Sequence, residues 1–169
     1  MKTLIALAIS TTLVACAIFP GEPAGPSASA RLQSKSGSTV TGTVRFTQVG
    51  DRVRITGDVS GHSRGNKAIH IHEKGDCSST DGMSTGGHFN PTKVAHGAPG
   101  AGHAGDFGNL VFDDQGRALV NIMSSGIAVN STAPNGIVGR AVIIHAQEDD
   151  LKTDPTGNAG GRVACGVIQ

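Results

Sequence analysis

The chain has 169 residues, among them 25 Gly, seven His and three Cys, with neither Trp nor Tyr. Its length suits one domain able to bury a proper core, and 14 basic against 13 acidic residues, without runs of like charge, give a net charge of +1 that argues against a nucleic-acid binder with its basic stripe. No apolar stretch reaches the roughly 18–20 residues of a spanning helix, which excludes a multi-span membrane protein.

At the start, Lys2 precedes an apolar run from Leu4 to Val14. That is the length of a signal-peptide core and too short to cross a bilayer. The run ends in Leu13-Val14-Ala15-Cys16, which resembles the bacterial lipoprotein signal, where cleavage leaves the cysteine thiol to carry the lipid. Residues 1–15 are therefore expected to be a lipoprotein signal peptide, with export to the periplasm or cell envelope and membrane attachment through lipid on Cys16. Ala17, in place of an Asp that would retain the lipoprotein at the inner membrane, favours the outer membrane. Residues 16–30 are rich in Pro, Gly, Ser and Ala and read as a flexible tether. The domain is expected over 31–169.

From residue 30 onward the period is two, not 3.6. Val40, Gly42, Val44 and Phe46 alternate with polar residues, as do Val53, Ile55, Gly57 and Val59, and Gly50-Asp51 between the two runs signals a hairpin. Further strands are predicted at Lys67–Glu73, Asn109–Phe112, Arg117–Met123, Gly139–Ala146 and Val163–Val167, with a tight turn at Asp113–Gly116. Seven or eight short strands punctuated by Gly read as a β-sandwich or barrel.

Two segments interrupt this spacing. Residues 74–106 lack a strand pattern but hold eight Gly and three His, and residues 147–162 are polar with three Gly and one Pro. Loops of this length are usually functional or disordered, and the histidines favour function. Alternation along Ala68-Ile69-His70-Ile71-His72 puts both imidazoles on one face, roughly 6.5–7 Å apart at Cα, from where they can converge on one ion. His145 ends another apolar strand. A His-x-His pair, a strand-end His and three more His in one Gly-rich loop form a metal-ligand pattern that isolated polar histidines do not explain.

The segments His70–Cys77 (HIHEKGDC), Gly87–Pro91 (GHFNP), His103–Asn109 (HAGDFGN) and Gly157–Val167 (GNAGGRVACGV) closely resemble the Cu/Zn superoxide dismutase family, in order and over roughly residues 31–168. The regions after His72 and Asp149 look more like its bacterial, periplasmic branch. The resemblance implies an all-β fold, an eight-stranded Greek-key β-barrel with a long metal-binding loop and a second polar loop near the C-terminus. It implies one copper ion on His70, His72, His88 and His145, and one zinc ion on His88, His96, His103 and Asp106, with His88 bridging. Neutral imidazoles suit Cu(II), three His and a carboxylate suit Zn(II), and only His offers two ring nitrogens for a bridge.

By the same resemblance Asp149 links the outer nitrogens of His70 and His96, and Cys77 and Cys165 form a disulfide. Arg162 orients and attracts the superoxide anion beside the copper, and Thr156 narrows the opposite side of the channel. The implied activity is dismutation of superoxide to O2 and H2O2, with Arg162 and His88 catalytic. Lys74, Lys93 and Lys152 are candidates for positive charge near the channel. His62 matches no ligand and reads as a surface residue. A copper- or zinc-binding protein of the same fold without turnover is the rival reading. The chain is expected to be a monomer or homodimer without a nucleic-acid partner.

Overall fold

The computed structural model describes residues 24–130 and 132–169. The expected signal peptide, Cys16 and the first part of the tether lie outside them. Eight strands follow in chain order: β1 (Ala24–Ser34), β2 (Thr41–Val49), β3 (Arg52–Ser60), β4 (Gly65–His72), β5 (Asp106–Phe112), β6 (Arg117–Ser124), β7 (Ala141–His145) and β8 (Arg162–Val167). The single helical element among the described residues is a 3-10 turn, Met83–Thr85.

All ladders are antiparallel, in the order β5-β4-β7-β8-β1-β2-β3-β6. The sheet curls into a nearly closed barrel in which its two edges, β5 and β6, face each other without a ladder. The chain crosses between the two halves from β3 to β4, from β5 to β6 and from β6 to β7, as a Greek key does. The alternation read from the sequence is what fills the core. Val44 and Phe46 of β2 and Val53, Ile55 and Val59 of β3 point inward and are buried. The expected hairpin turn joins them, with Val49 paired to Arg52 across Gly50-Asp51.

Part of the stretch expected to be tether is strand. Its residues 24–30 belong to β1 and pair with β2, from Ala24 opposite Val49 to Ala30 opposite Val44. Ala28 and Ala30 point into the core and are buried. Small residues read as linker by composition, yet here their alternation supplies an inner face. The register slips between Ala24 and Ser27, around Pro26, which has no N–H to give to a ladder.

The outward residues of β1, β2, β3 and β6 carry Arg31, Arg45, Arg52, Arg54 and Arg117, all exposed, against the single acid Asp58. These arginines are scattered in sequence, and pairing of the strands gathers them on one face. The absence of charge runs gave no sign of this.

Candidate metal centre

β4 sets the first ligands. Ile69 and Ile71 enter the core, so His70 and His72 take the opposite face, where the two long loops bury them completely. The ladder shifts register between Ala68 and His70 on the β5 side. A similar shift separates Ile144 from His145 against β8. Such bulges re-aim side chains next to functional sites, and here they fall at two of the clustered histidines. The loop between β4 and β5 is laced onto β4: the Phe89 N–H donates to the Ile71 carbonyl at 2.8 Å, and the Ile71 N–H to Gly105 at 2.9 Å. His72 and His88 form an isolated bridge. This carries the loop histidines to the strand histidines.

Two groups result, each with ligand atoms within 4.8 Å of one another: His70, His72, His88 and His145, and His88, His96, His103 and Asp106. All seven residues are buried. Outward hydrogen bonds decide which ring nitrogen faces each cluster. His72 Nδ1–H donates to the Gly86 carbonyl at 3.0 Å, and His145 Nδ1–H to the Gly160 carbonyl at 3.3 Å. Their Nε2 atoms, left without protons in the neutral rings, then face each other at 3.4 Å. His70 Nε2–H and His96 Nε2–H both donate to Asp149, one to each oxygen, at 2.9 Å. His70 Nδ1 and His88 Nε2 are buried without a hydrogen-bond partner.

On the other side of the His88 ring, Nδ1 lies 2.8 Å from Asp106 Oδ1 and 3.4 Å from His103 Nδ1. His96 Nδ1 is 2.9 Å from Asp106 Oδ2, off the direction a hydrogen bond needs. Bare nitrogens converging in a buried space are costly unless a cation takes the lone pairs. Four imidazole nitrogens form a set that suits copper, and three with a carboxylate one that suits tetrahedral zinc. The residues therefore fit both ions.

Burial keeps His70, His72 and His145 neutral, the form that ligates. It pulls His70 down to about 4 against the opposing bond to Asp149. His72 and His145 are pushed well below the usual range by burial, reinforced by Arg162 at His72 and by His70 at His145. For Asp149, burial alone would raise the carboxyl; hydrogen bonds from His70, the Leu151 amide and His96 outweigh it and hold it far below the usual range. Asp106 shows the same balance, with His88 the main opposing influence.

Asn109 clamps Asp149 from both ends: its Oδ1 accepts the Asp149 N–H at 2.7 Å, and its Nδ2 donates to the Asp149 carbonyl at 2.9 Å. Cys77 and Cys165 are joined by a disulfide, tying the first loop to β8. The opening to the histidines is a cavity of about 570 Å³ lined by His72, His88, His145, Thr156 and Arg162. A larger concavity, about 750 Å³, lies between β5 and β6 and holds none of the clustered histidines. Arg162 Nη1 donates to the Gly82 carbonyl at 3.0 Å and to Thr85 Oγ1 at 2.8 Å.

Two expectations need correction. Lys74, Lys93 and Lys152 are exposed but do not line this opening; Arg162 is its only cation among the described residues. His62 is not a plain surface residue. It is half-buried, its Nε2–H donates to the His145 carbonyl at 3.1 Å, and its ring lies 5.1 Å from that of Phe112. The β3–β4 turn packs on the β5–β6 turn, where Gly116 leaves room for the His62 carbonyl. Thr85 and Asn109 were not singled out from the sequence. Asn109 ends the His103–Asn109 motif, whereas Thr85 carries no sequence signal, because its partner Arg162 is 77 residues away.

A Greek-key barrel whose two buried ligand groups share one histidine defines a class of metalloprotein with two adjoining ions. Residues 40–168 match the family model described as copper/zinc superoxide dismutase (SODC), and the chain belongs to that family. It is also similar to a solved structure, the crystal structure of the clock protein EA4. The two are 42% identical, with a TM-score of 0.76, over 84% of this chain and 92% of that one.

Proposed function

We propose that the protein is a superoxide dismutase, converting two superoxide anions and two protons to O2 and H2O2. The observation that carries this reading is His88: one buried ring presents Nε2 to one ligand group and Nδ1 to the other, at an opening lined by Arg162. His70, His72, His88 and His145 would hold copper, and His88, His96, His103 and Asp106 zinc. When bound, copper supplies one-electron redox chemistry and zinc a fixed charge.

The chain's own residues do the rest. Arg162 offers a guanidinium, charged at every working pH, to a small anion at the opening. Gly82 and Thr85 hold it there. His88 Nε2 can hold a proton whenever that nitrogen is not ligated, while Nδ1 stays turned to Asp106. Asp149 fixes the tautomers of His70 and His96. Thr156 bounds the opening and limits the size of what enters.

Metal analysis and a superoxide-dismutation assay on the purified protein and its His145→Ala variant test this. Copper and turnover in the parent, both lost in the variant, are expected. A protein without copper ends the enzyme reading. Copper without turnover would favour a second reading, metal binding alone, for which the two buried ligand groups suffice.

We further read the chain as exported and lipid-anchored through Cys16, as a monomer or homodimer protecting the cell envelope from superoxide. The support is the apolar run ending at Cys16 and a disulfide of the kind that persists in oxidising compartments. Mass spectrometry of the N-terminal peptide tests it: an unmodified Cys16 thiol removes the anchor.

A further inference from the structure

Asp154 belongs to neither ligand group and to none of the motifs that carry the family resemblance. It sits in the loop between β7 and β8, with its side chain 57% exposed. Even so, its Oδ1 accepts the backbone N–H of His96 at 2.6 Å, across 58 residues of sequence. The same oxygen stands 3.7 Å from Nε2 of His103. That is the His103 nitrogen turned away from the cluster; Nδ1 faces His88 and Asp106. The arrangement parallels Asp149 behind His96. One loop thus sends a carboxylate behind each of the two non-bridging histidines of the second ligand group.

We propose that Asp154 is a positioning residue for zinc, acting on two ligands at once. Its bond to the His96 amide pins the main chain that carries one ring. Its negative charge behind His103 favours the ring when a bound cation draws electron density from it. At 3.7 Å this second contact is too long for a direct hydrogen bond and acts through the field or a bridging water. The inference rests on reading His88, His96, His103 and Asp106 as the zinc site. Carboxylates placed this way typically change metal affinity 10–100-fold, and the exposure of Asp154 sets the expectation at the low end, about tenfold.

Metal-free full-length protein titrated with zinc against a competing chelator, with copper measured in parallel, tests the proposal. Asp154→Ala removes both contacts. Asp154→Asn keeps an oxygen for the His96 amide and removes the charge, so it should fall between Ala and the parent. About a tenfold loss of zinc affinity in Asp154→Ala, with copper affinity at the other group unchanged, is the expected result. His103→Ala serves as the control for the site itself. If it loses zinc while Asp154→Ala binds as the parent does, the role of Asp154 is overturned and the zinc site stands. If the parent binds no zinc, or His103→Ala binds it normally, both fall. Equal losses of copper and zinc in Asp154→Ala would mark general loop damage and overturn the positioning role.

Discussion

Arg162 Nη1 donates to Thr85 Oγ1 at 2.8 Å, and Thr85 is fully buried. The cation at the mouth of the site therefore rests on a hydroxyl that solvent cannot replace. Thr85 in turn donates to the Gly82 carbonyl at 2.8 Å, so both partners of the guanidinium are tied to each other. Arg162→Gln should lower dismutase activity about tenfold or more, the worth of one charge-assisted hydrogen bond, and flatten its dependence on salt. Thr85→Val should cost less and keep the salt dependence, because the charge stays. Activity of both variants at low and physiological ionic strength checks this; unchanged activity of Arg162→Gln at low salt removes its role.

Gly157 has φ 62°, and a Cβ there would run into Asp149 Oδ1 and His96 Nε2. Gly157→Ala should break the carboxylate bridge between His70 and His96 and weaken binding of both metals by roughly 10–100-fold. Gly161 has open space at the same point, and Gly161→Ala should behave as the parent. Metal content after dialysis against a chelator separates the two.

The disulfide joins cysteines 88 residues apart. In the chain-entropy picture a loop of that length restrains the unfolded state by roughly 4–5 kcal/mol. The double variant Cys77→Ser, Cys165→Ser should unfold at a clearly lower denaturant concentration and with a steeper slope, because its unfolded chain is free to expand. Urea titrations of the parent and the variant give the difference directly.

Acid should destabilise the metal-free protein in a window set by histidine. His70 is lowered to about 4 in the fold from an unfolded value near 6.5. Between those values the unfolded chain binds the extra proton, so stability falls as pH drops, by at most about 1.4 kcal/mol per pH unit for each such group. His72 and His145 shift the same way and steepen the slope. Asp149 and Asp106 are depressed, so their contribution is complete above the ordinary carboxylate range and is lost only at lower pH. Thermal midpoints of chelated protein should be flat above about pH 6.5 and fall steadily below it. A curve flat down to pH 4 would contradict buried neutral histidines.

Much of this was legible in the sequence. Strict alternation wrote out β2 and β3, and His70-Ile71-His72 showed its outward face because the isoleucines had to go in. The ligand loop was visible as the stretch where alternation stops and histidines begin. What was not legible depended on contacts across the fold. β1 looked like linker because Ser, Ala, Gly and Pro carry little hydrophobic signal; only pairing with β2 gives their alternation meaning. His62 looked idle because its partner, the His145 carbonyl, is a main-chain atom 83 residues away. Thr85 and Asp154 were hidden for the same reason, their partners lying 77 and 58 residues off.

The two ligand groups differ in how much chain they span. His88, His96, His103 and Asp106 come from a single loop running into β5, whereas the other group needs His70 and His72 of β4, His88 of that loop and His145 at the end of β7. Closing such distant segments is the slow part of building a barrel. A chain folded only as far as β6 already owns all four zinc-type ligands but lacks one copper-type ligand. An ion held by all four ligands of the copper-type group would therefore report that β7 is in place, whereas the zinc-type ligands share one stretch of chain and wait on the β7–β8 loop only for Asp149 and Asp154 behind them.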